Sequence, residues 1–204
     1  GPEGKSEIDV VAYGDGLFFF FECKNPLLPT GNHELLTTFD HVKKGSSQLA
    51  RASSNFKSSE FRKRLAQSLE ISPPSNPSLS TAVVLSNRML NGYRCSGHPV
   101  RNFFEIASFV KTGDINLMGH KKNFWKGDKF VASDLCRFLN DDVTIEPFKQ
   151  SLLKYHSTYL LNDISVKVSS VKLNALRLAE NLGLQEAANK IRNFQDVGLD
   201  PGDP

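Results

Sequence analysis

The sequence predicts an α/β fold in which helices flank a mixed central sheet, followed by a mostly helical C-terminal region. Three observations predict it. An Asp-Gly dipeptide at 15–16 joins two apolar runs, so the sheet begins with an antiparallel hairpin. A helical stretch at 34–68 precedes a β-branched run at 81–86, which is the pattern of a parallel crossover. From about Ser133 onward the apolar residues fall at helical spacing. The α/β core is therefore expected over 3–132 and the helical region over 133–199.

The hairpin is the first element, over 7–24. Asp15-Gly16 suits a two-residue type I′ turn, because both positions need φ > 0. Counting outward from that turn pairs Tyr13 with Phe18, Val11 with Phe20 and Asp9 with Glu22. Directly opposed residues share a face, with Cβ atoms roughly 4.5–5.5 Å apart. Lys24 shares the face of Glu22 because side chains alternate along a strand. Glu7 falls opposite Lys24 in the same register.

Two carboxylates held that close repel one another, so either one stays protonated or a cation sits between them. A hard cation such as Mg²⁺ takes one or two carboxylates and fills its remaining sites with water and phosphate oxygens. A lysine beside it is a compact charge that can orient a water or offset charge on a phosphate. The bland reading is a surface hairpin with an ordinary cross-strand ion pair. The run Phe18–Phe21 opposes it, since a strand apolar on both faces belongs in the middle of a sheet.

Next comes a loop at 25–34, punctuated by Pro26, Pro29 and Gly31. Residues 34–68 read as helix, in two pieces broken near Gly45 or Ser53-Ser54. Three prolines exclude regular structure from much of 71–80. The β-branched content of 81–86 marks a buried strand, and 89–102 reads as loop around Gly92, Gly97 and Pro99. A short amphipathic helix is expected at 103–111, stopped by Gly113, and one or two short strands at 114–132. Trp125 there is either a core anchor or a base-stacking platform, with packing the commoner fate of a lone tryptophan. Helices are then expected at 134–140 (capped by Ser133), 146–161 (with Pro147 in its first turn), 168–182 and 184–194. The last two are separated by Gly183 and able to form a helical hairpin. The tail at 200–204 is expected to be disordered.

The pattern Asp9 … Glu22-Cys23-Lys24, reached through a short hairpin, resembles the PD-(D/E)xK nuclease superfamily, with its restriction-endonuclease-like fold. It is closest to the Mrr-type and Holliday-resolvase-like branches. The specific motifs occupy 7–24 of a resemblance that spans roughly 5–115. It implies that Asp9, Glu22 and the carbonyl of Cys23 hold Mg²⁺ (or Mn²⁺), and that Lys24 assists the attacking water. Gln48 matches the glutamine such proteins carry on the helix after the Glu-x-Lys strand; its alternative is an exposed helix residue. Ile8 replaces the usual proline before the aspartate. In the resembled fold the strand at 81–86 pairs beside the Glu-x-Lys strand. Family members also carry a helix before the first strand, and nothing here supplies it. Gly1-Pro2 reads as the scar of a cleaved tag, and the chain as part of a longer polypeptide. The resemblance further implies a homodimer that cuts two strands.

Composition bounds the remaining classes. The chain has 204 residues, 23% charged and 39% hydrophobic, in the ordinary range for a globular protein. No apolar run approaches the ~20 residues of a membrane span, so no membrane partner is expected. A net charge of +3 is too mild to diagnose nucleic-acid binding by itself. Local clusters matter more, and Lys43, Lys44, Arg51, Lys57, Arg62 and Lys63 are the candidate phosphate contacts. Lys121, Lys122, Lys126 and Lys129 surround Trp125. Three widely spaced cysteines indicate reduced thiols and an intracellular, non-secreted protein. Cys95-x-x-His98 with His120 and Cys136 lacks the recurrent spacing of a zinc site.

The expected function is a metal-dependent nuclease, an endonuclease whose partner is nucleic acid, DNA before RNA. Two rivals stand beside it. One is a nucleic-acid-binding module without turnover; the other is a protein-interaction domain that works through its C-terminal region.

Overall fold

The computed structural model describes residues 7–28, 30–72, 74–117, 120–140, 145–161 and 164–196. The expected tag scar at 1–2 and tail at 200–204 lie outside the described residues. The chain forms two compact units, residues 1–115 with 123–140 and residues 116–122 with 141–204.

The first unit is mixed α/β. It contains β1 (Val10–Gly14), β2 (Leu17–Lys24), α1 (Asn32–Phe56), α2 (Ser59–Ser68), β3 (Ser78–Leu85), β4 (Arg94–Cys95), β5 (His98–Asn102) and α3 (Phe103–Thr112). The strands β6 (Asp114–Leu117) and β7 (His120–Asn123) follow in the chain, with residues 116–122 counted in the second unit, and α4 (Ala132–Leu139) belongs again to the first. The five-stranded sheet runs β1-β2-β3-β5-β4. It is antiparallel between β1 and β2, parallel from β2 to β3 and from β3 to β5, and antiparallel at β4. Helix α1 is the crossover between β2 and β3.

The hairpin register is the one counted from the turn: Tyr13 pairs with Phe18, Val11 with Phe20 and Val10 with Phe21. Asp15 and Gly16 hold φ of 51° and 79°, as a type I′ turn requires. Strand β2 is buried on both faces. Phe18 and Phe20 point one way, into a cluster with Val42, Leu49, Ala52 and Phe56 of α1 and Val83 and Leu85 of β3. Phe19 and Phe21 point the other way and stack on each other, centroids 6.2 Å apart. Burying each such ring contributes about 1.5–3 kcal/mol. The four phenylalanines therefore fix β2 as a central strand and fix which face its later residues occupy.

Helix α1 runs unbroken through Gly45 and Ser53-Ser54. The break falls at Lys57-Ser58, where Ser58 Oγ accepts from the Phe61 N–H and starts α2. Gly45 is there for close approach rather than as a helix stop. The expected loop at 89–102 contains two short strands, because β5 completes a parallel row with β3: Val83↔Val100, Val84↔Arg101, Leu85↔Asn102. The helix at 103–112 ends, as expected, on left-handed Gly113. Trp125 takes the packing role: its indole N–H donates to the Phe109 carbonyl at 2.9 Å, and its ring lies against Gly113.

Helix α4 begins at Ala132 without a cap from Ser133. The Ala132 N–H instead donates to Asp15 Oδ2 at 2.9 Å, so the hairpin turn itself caps α4. At the opposite end, the buried Arg101 guanidinium donates to the Leu139 carbonyl at 2.6 Å and to the Phe138 carbonyl. A carboxylate at the N-terminus and a guanidinium at the C-terminus both oppose the helix dipole favourably.

The second unit corrects the helical expectation. It holds α5 (Ile145–Gln150), β8 (Leu152–Leu161), β9 (Ile164–Leu173), α6 (Ala175–Asn181) and α7 (Gln185–Asp196). The helix expected at 146–161 stops at Gln150, and the one expected at 168–182 begins only at Ala175. Between them β8 and β9 pair antiparallel along their whole length, from Leu152↔Leu173 to Leu161↔Ile164. The β-branched and aromatic residues Tyr155, Tyr159, Ile164, Val166 and Val168 favour strand. Val171 sat four residues before Ala175 and imitated a helical stripe, but it is exposed. The true apolar stripe, Leu178, Ala179 and Leu182, is buried with Leu184, Ala187 and Ala188 in the expected α6–α7 hairpin around Gly183. Among the described residues, no helix is long and apolar enough to cross a membrane.

Candidate active site

The site is built where β2 runs out. Even-numbered residues of β2 face α1, so after Phe18 and Phe20 come Glu22 and Lys24. Alternation alone thus drives a carboxylate into the packed face. Glu22 has a side chain only 1% exposed. Space for it comes from α1: a Cβ on Gly45 would stand 3.1 Å from Glu22 Cγ and 3.4 Å from Lys24 Cε. Glycine at 45 therefore lets helix and strand approach at the point where the charged residues lie.

Lys24 Nζ lies 2.5 Å from Glu22 Oε1 and 3.9 Å from Asp9 Oδ2. Asp9 stands just before β1, its side chain 34% exposed. Its Oδ2 accepts from the Cys23 N–H at 2.7 Å, which anchors the carboxylate at the residue whose carbonyl the sequence nominated. Glu7 is exposed, and Lys24 turns to Glu22 and Asp9 instead. The structure thus brings Asp9, Glu22, Cys23 and Lys24 together.

Electrostatics make this cluster one-sided. Burial pushes the Glu22 carboxyl above the usual range. Lys24 opposes that shift through its hydrogen bond and charge, while the charge of Asp9 and a hydrogen bond with it add to the rise. One Glu22 oxygen, Oε2, is buried with no hydrogen-bond partner. A buried, unsatisfied carboxylate oxygen beside a second carboxylate is an unfavourable arrangement that a cation would relieve.

Gln48 lies one turn beyond Gly45 on the same side of α1, and residues three apart on a helix are neighbours. Its Oε1 is also buried without a partner. Lys44, Gln48 and Arg51 follow the i, i+4, i+7 spacing of one stripe, and both cations are exposed. The other predicted phosphate contacts go elsewhere. Lys43 pairs with Asp40 at 3.6 Å and lies over the Phe39 ring. Arg62 donates to the Phe56 and Lys57 carbonyls, closing the end of α1. Lys57 is exposed at the C-terminal end of α1, about 18 Å along the helix from Gly45 at 1.5 Å per residue, and Lys63 is exposed on α2, past the break.

Gly45 is the residue of this site that sequence reasoning missed. An isolated glycine in a helical pattern signals either a break or a close approach, and only the packing partner decides between them. Beyond Lys24 the sheet edge is tied off by polar side chains. The Asn87 amide donates to the Pro26 carbonyl at 3.2 Å, and the Asn102 amide to the Ser86 carbonyl at 3.4 Å. Asn102 Oδ1 also caps α3 through the Phe104 and Glu105 N–H groups.

Cys95-x-x-His98 makes no zinc-like grouping. Cys95 is buried, and His98 Nδ1 bonds Thr81 Oγ1 at 2.7 Å. Among the described residues, no three His, Cys, Asp or Glu side chains are grouped so as to hold a metal ion between them; at the β2 end the donor set is two carboxylates with a backbone carbonyl. Comparison with protein-family models, with curated proteins and with solved structures gives no match to this chain.

Proposed function

We propose that the chain is a metal-dependent nuclease of the PD-(D/E)xK kind, built on a restriction-endonuclease-like core, that hydrolyses phosphodiester bonds in DNA. The observation that carries this reading is the buried Glu22 carboxylate. It has an orphaned oxygen, a second carboxylate beside it and a lysine in contact. The donor set suits Mg²⁺ or Mn²⁺, because two hard carboxylates with an adjacent carbonyl leave room for water and phosphate oxygens. Asp9, Glu22 and the Cys23 carbonyl would hold the ion. When bound, it would supply Lewis-acid stabilisation of charge on the phosphate.

The residues of the chain divide the remaining work. Lys24, as an ammonium, donates a hydrogen bond that orients the attacking water and offsets negative charge growing on the phosphoryl oxygens. Glu22 holds Lys24 by its Oε1, so the ammonium cannot swing away. Asp9 is fixed by the Cys23 N–H. Gln48 presents its amide from α1, and Lys44 and Arg51, on the same stripe, contact the phosphate backbone. Such contacts position the substrate without reading its sequence. Three free cysteines suit a reducing, intracellular setting, and a homodimer would allow both strands to be cut.

The test is nicking of supercoiled plasmid with Mg²⁺ by the wild type, Asp9→Ala and Lys24→Ala. The expected loss for Lys24→Ala is about 10²–10³-fold, the usual effect of removing one group that stabilises developing charge. Equal cleavage by all three proteins removes the assignment. No cleavage by any of them, with DNA retarded on a gel, converts the reading to a binding module. Neither cleavage nor binding leaves the interaction domain.

A further inference from the structure

The β8–β9 ribbon is a second surface that the candidate site does not use. Its two strands are 10 residues each, and these twenty residues include Lys154, Lys167 and Lys172 but no aspartate or glutamate. None of the three lysines makes an ion pair with a described residue. Pairing gathers the polar side chains in the middle of one face. Lys154, His156, Thr158, Lys167 and Ser169 share it, with His156 opposite Ser169 and Thr158 opposite Lys167, while Leu152, Leu160, Val171 and Leu173 lie on the same face toward its two ends. Tyr155, Tyr159, Val166 and Val168 share the other, together with Lys172. His156 Nδ1 and Ser169 Oγ lie 2.9 Å apart and tie the strands together in the middle of the polar face.

We propose that this polar face is a duplex-DNA backbone-binding surface, with Lys154 and Lys167 as its phosphate contacts. The inference rests on the nucleic-acid reading given above. Charge decides between the candidate occupants. A second copy of the two strands would bring three more lysines and no carboxylate on either strand, Asp163 between them being the hairpin's one acid in sequence, whereas a polyanion supplies the missing charge. Dimensions agree. A 10-residue strand at about 3.4 Å per residue spans about 34 Å, one turn of B-form DNA. A two-stranded ribbon fits a major groove about 12 Å wide. Lys154 is on β8 and Lys167 on β9, four pairing steps or about 14 Å apart along the ribbon. In that groove each lysine meets a different wall of phosphates. Thr158 and Ser169 add hydroxyl donors between them.

The experiment measures binding of the full chain to a mixed-sequence 30-base-pair duplex by fluorescence anisotropy, in EDTA so that no cleavage occurs, across a salt series. The Lys154→Gln/Lys167→Gln double variant should bind about tenfold more weakly or worse. Its slope of log affinity against log salt should fall by roughly two, about 0.9 per lost phosphate contact. Lys172→Gln, on the opposite face, should bind like the wild type. Circular-dichroism melts matching the wild type show that the fold survives. Unchanged binding by the double variant overturns the proposal, as does equal weakening by Lys172→Gln, which would mean net charge alone. Absence of binding by the wild type overturns it too. So does sedimentation showing a dimer that Val171→Ser dissolves, since the face that carries Lys154 and Lys167 would then be a self-association surface. Asp9→Ala is carried alongside: binding retained with nicking lost leaves both readings standing, and wild-type binding without nicking removes only the catalytic one.

Discussion

The molecule contains two long antiparallel hairpins that the same sequence rules would describe alike, yet they end in opposite environments. In β1–β2 the second strand is covered on both faces. Phe18, Phe19 and Phe20 are at most 2% exposed, and the charges that follow are forced inward with them. In β8–β9 no face is covered to that degree: Tyr155 is 45% exposed, Tyr159 55% and Ile164 66%. The lesson concerns what a charge means in each place. On a covered strand, Glu22 loses hydration and needs a compensating charge. On the open ribbon, Lys154 and Lys167 remain in water and are free to meet a partner. The first hairpin buries its charges against a helix, and the second leaves them exposed.

The sharpest way to break this contrast is to truncate one aromatic ring in each hairpin. Phe20→Ala should destabilise the protein by about 3–5 kcal/mol, the usual result for a buried phenylalanine. Tyr159→Ala on the ribbon should stay within about 0.5 kcal/mol, as surface substitutions do. Urea unfolding of both variants measures the difference. Similar losses would mean that the ribbon is packed in solution.

A smaller effect probes the helix that covers the first hairpin. Gly45→Val places a branched side chain against Glu22 Cγ and Val83 Cγ1, 3.1 and 3.4 Å from the new Cβ. Overpacking of that kind should lower stability by about 1–3 kcal/mol and reduce nicking, because the contact falls on Glu22 and Lys24. A variant with wild-type stability and activity would show that α1 is not held against the site. Asp15→Ala should cost about 1 kcal/mol through loss of the α4 cap, with extra strain from φ of 51° at a residue without a local side-chain bond. Among the described residues, no side-chain hydrogen bond joins β8 or β9 to another element, so substitutions on those strands should not propagate in this way.

The pH dependence is the most delicate comparison. The Glu22 carboxyl is raised above its ordinary 4.5, chiefly by burial. Below 4.5 both folded and unfolded states hold the proton. Between 4.5 and the raised folded value the native state holds more protons, so metal-free stability falls as pH rises through that window and then levels off. Glu22→Gln should flatten this part of the profile. Lys154→Gln should leave it unchanged, since that lysine is exposed and unpaired among the described residues. Thermal melts in EDTA at stepped pH provide the readout; a profile indifferent to Glu22→Gln would mean that burial does not govern this group.

Much of the first unit was legible in the sequence because its signals are local and redundant. Asp15-Gly16 sets the turn, the turn sets the register, and Phe18–Phe21 declare a doubly buried strand. The crossover strand was legible from its β-branched residues. What stayed hidden depends on partners distant in sequence. Gly45 reads as a helix break until β2 is placed against it. The cap of α4 comes from Asp15, 117 residues away in the chain. Strand β5, at 98–102, has little strand character of its own and forms because β3 offers an edge. The C-terminal ribbon failed for another reason: Val171, Ala175 and Leu178 coincide with helical spacing across a strand–helix boundary. The alternation of Ile164, Val166 and Val168 with Ser165, Lys167 and Ser169 carried the correct signal.

In the proposed nuclease, Asp9 and Glu22 would hold a divalent cation between them at the end of the first hairpin. Isothermal titration of the protein with Mg²⁺, and with Mn²⁺ as the tighter probe, measures this directly. The wild type should bind metal, and Glu22→Gln and Asp9→Asn should lose that binding while melting as folded proteins. Metal binding that is unaffected by either substitution, or no binding by the wild type, would contradict the account.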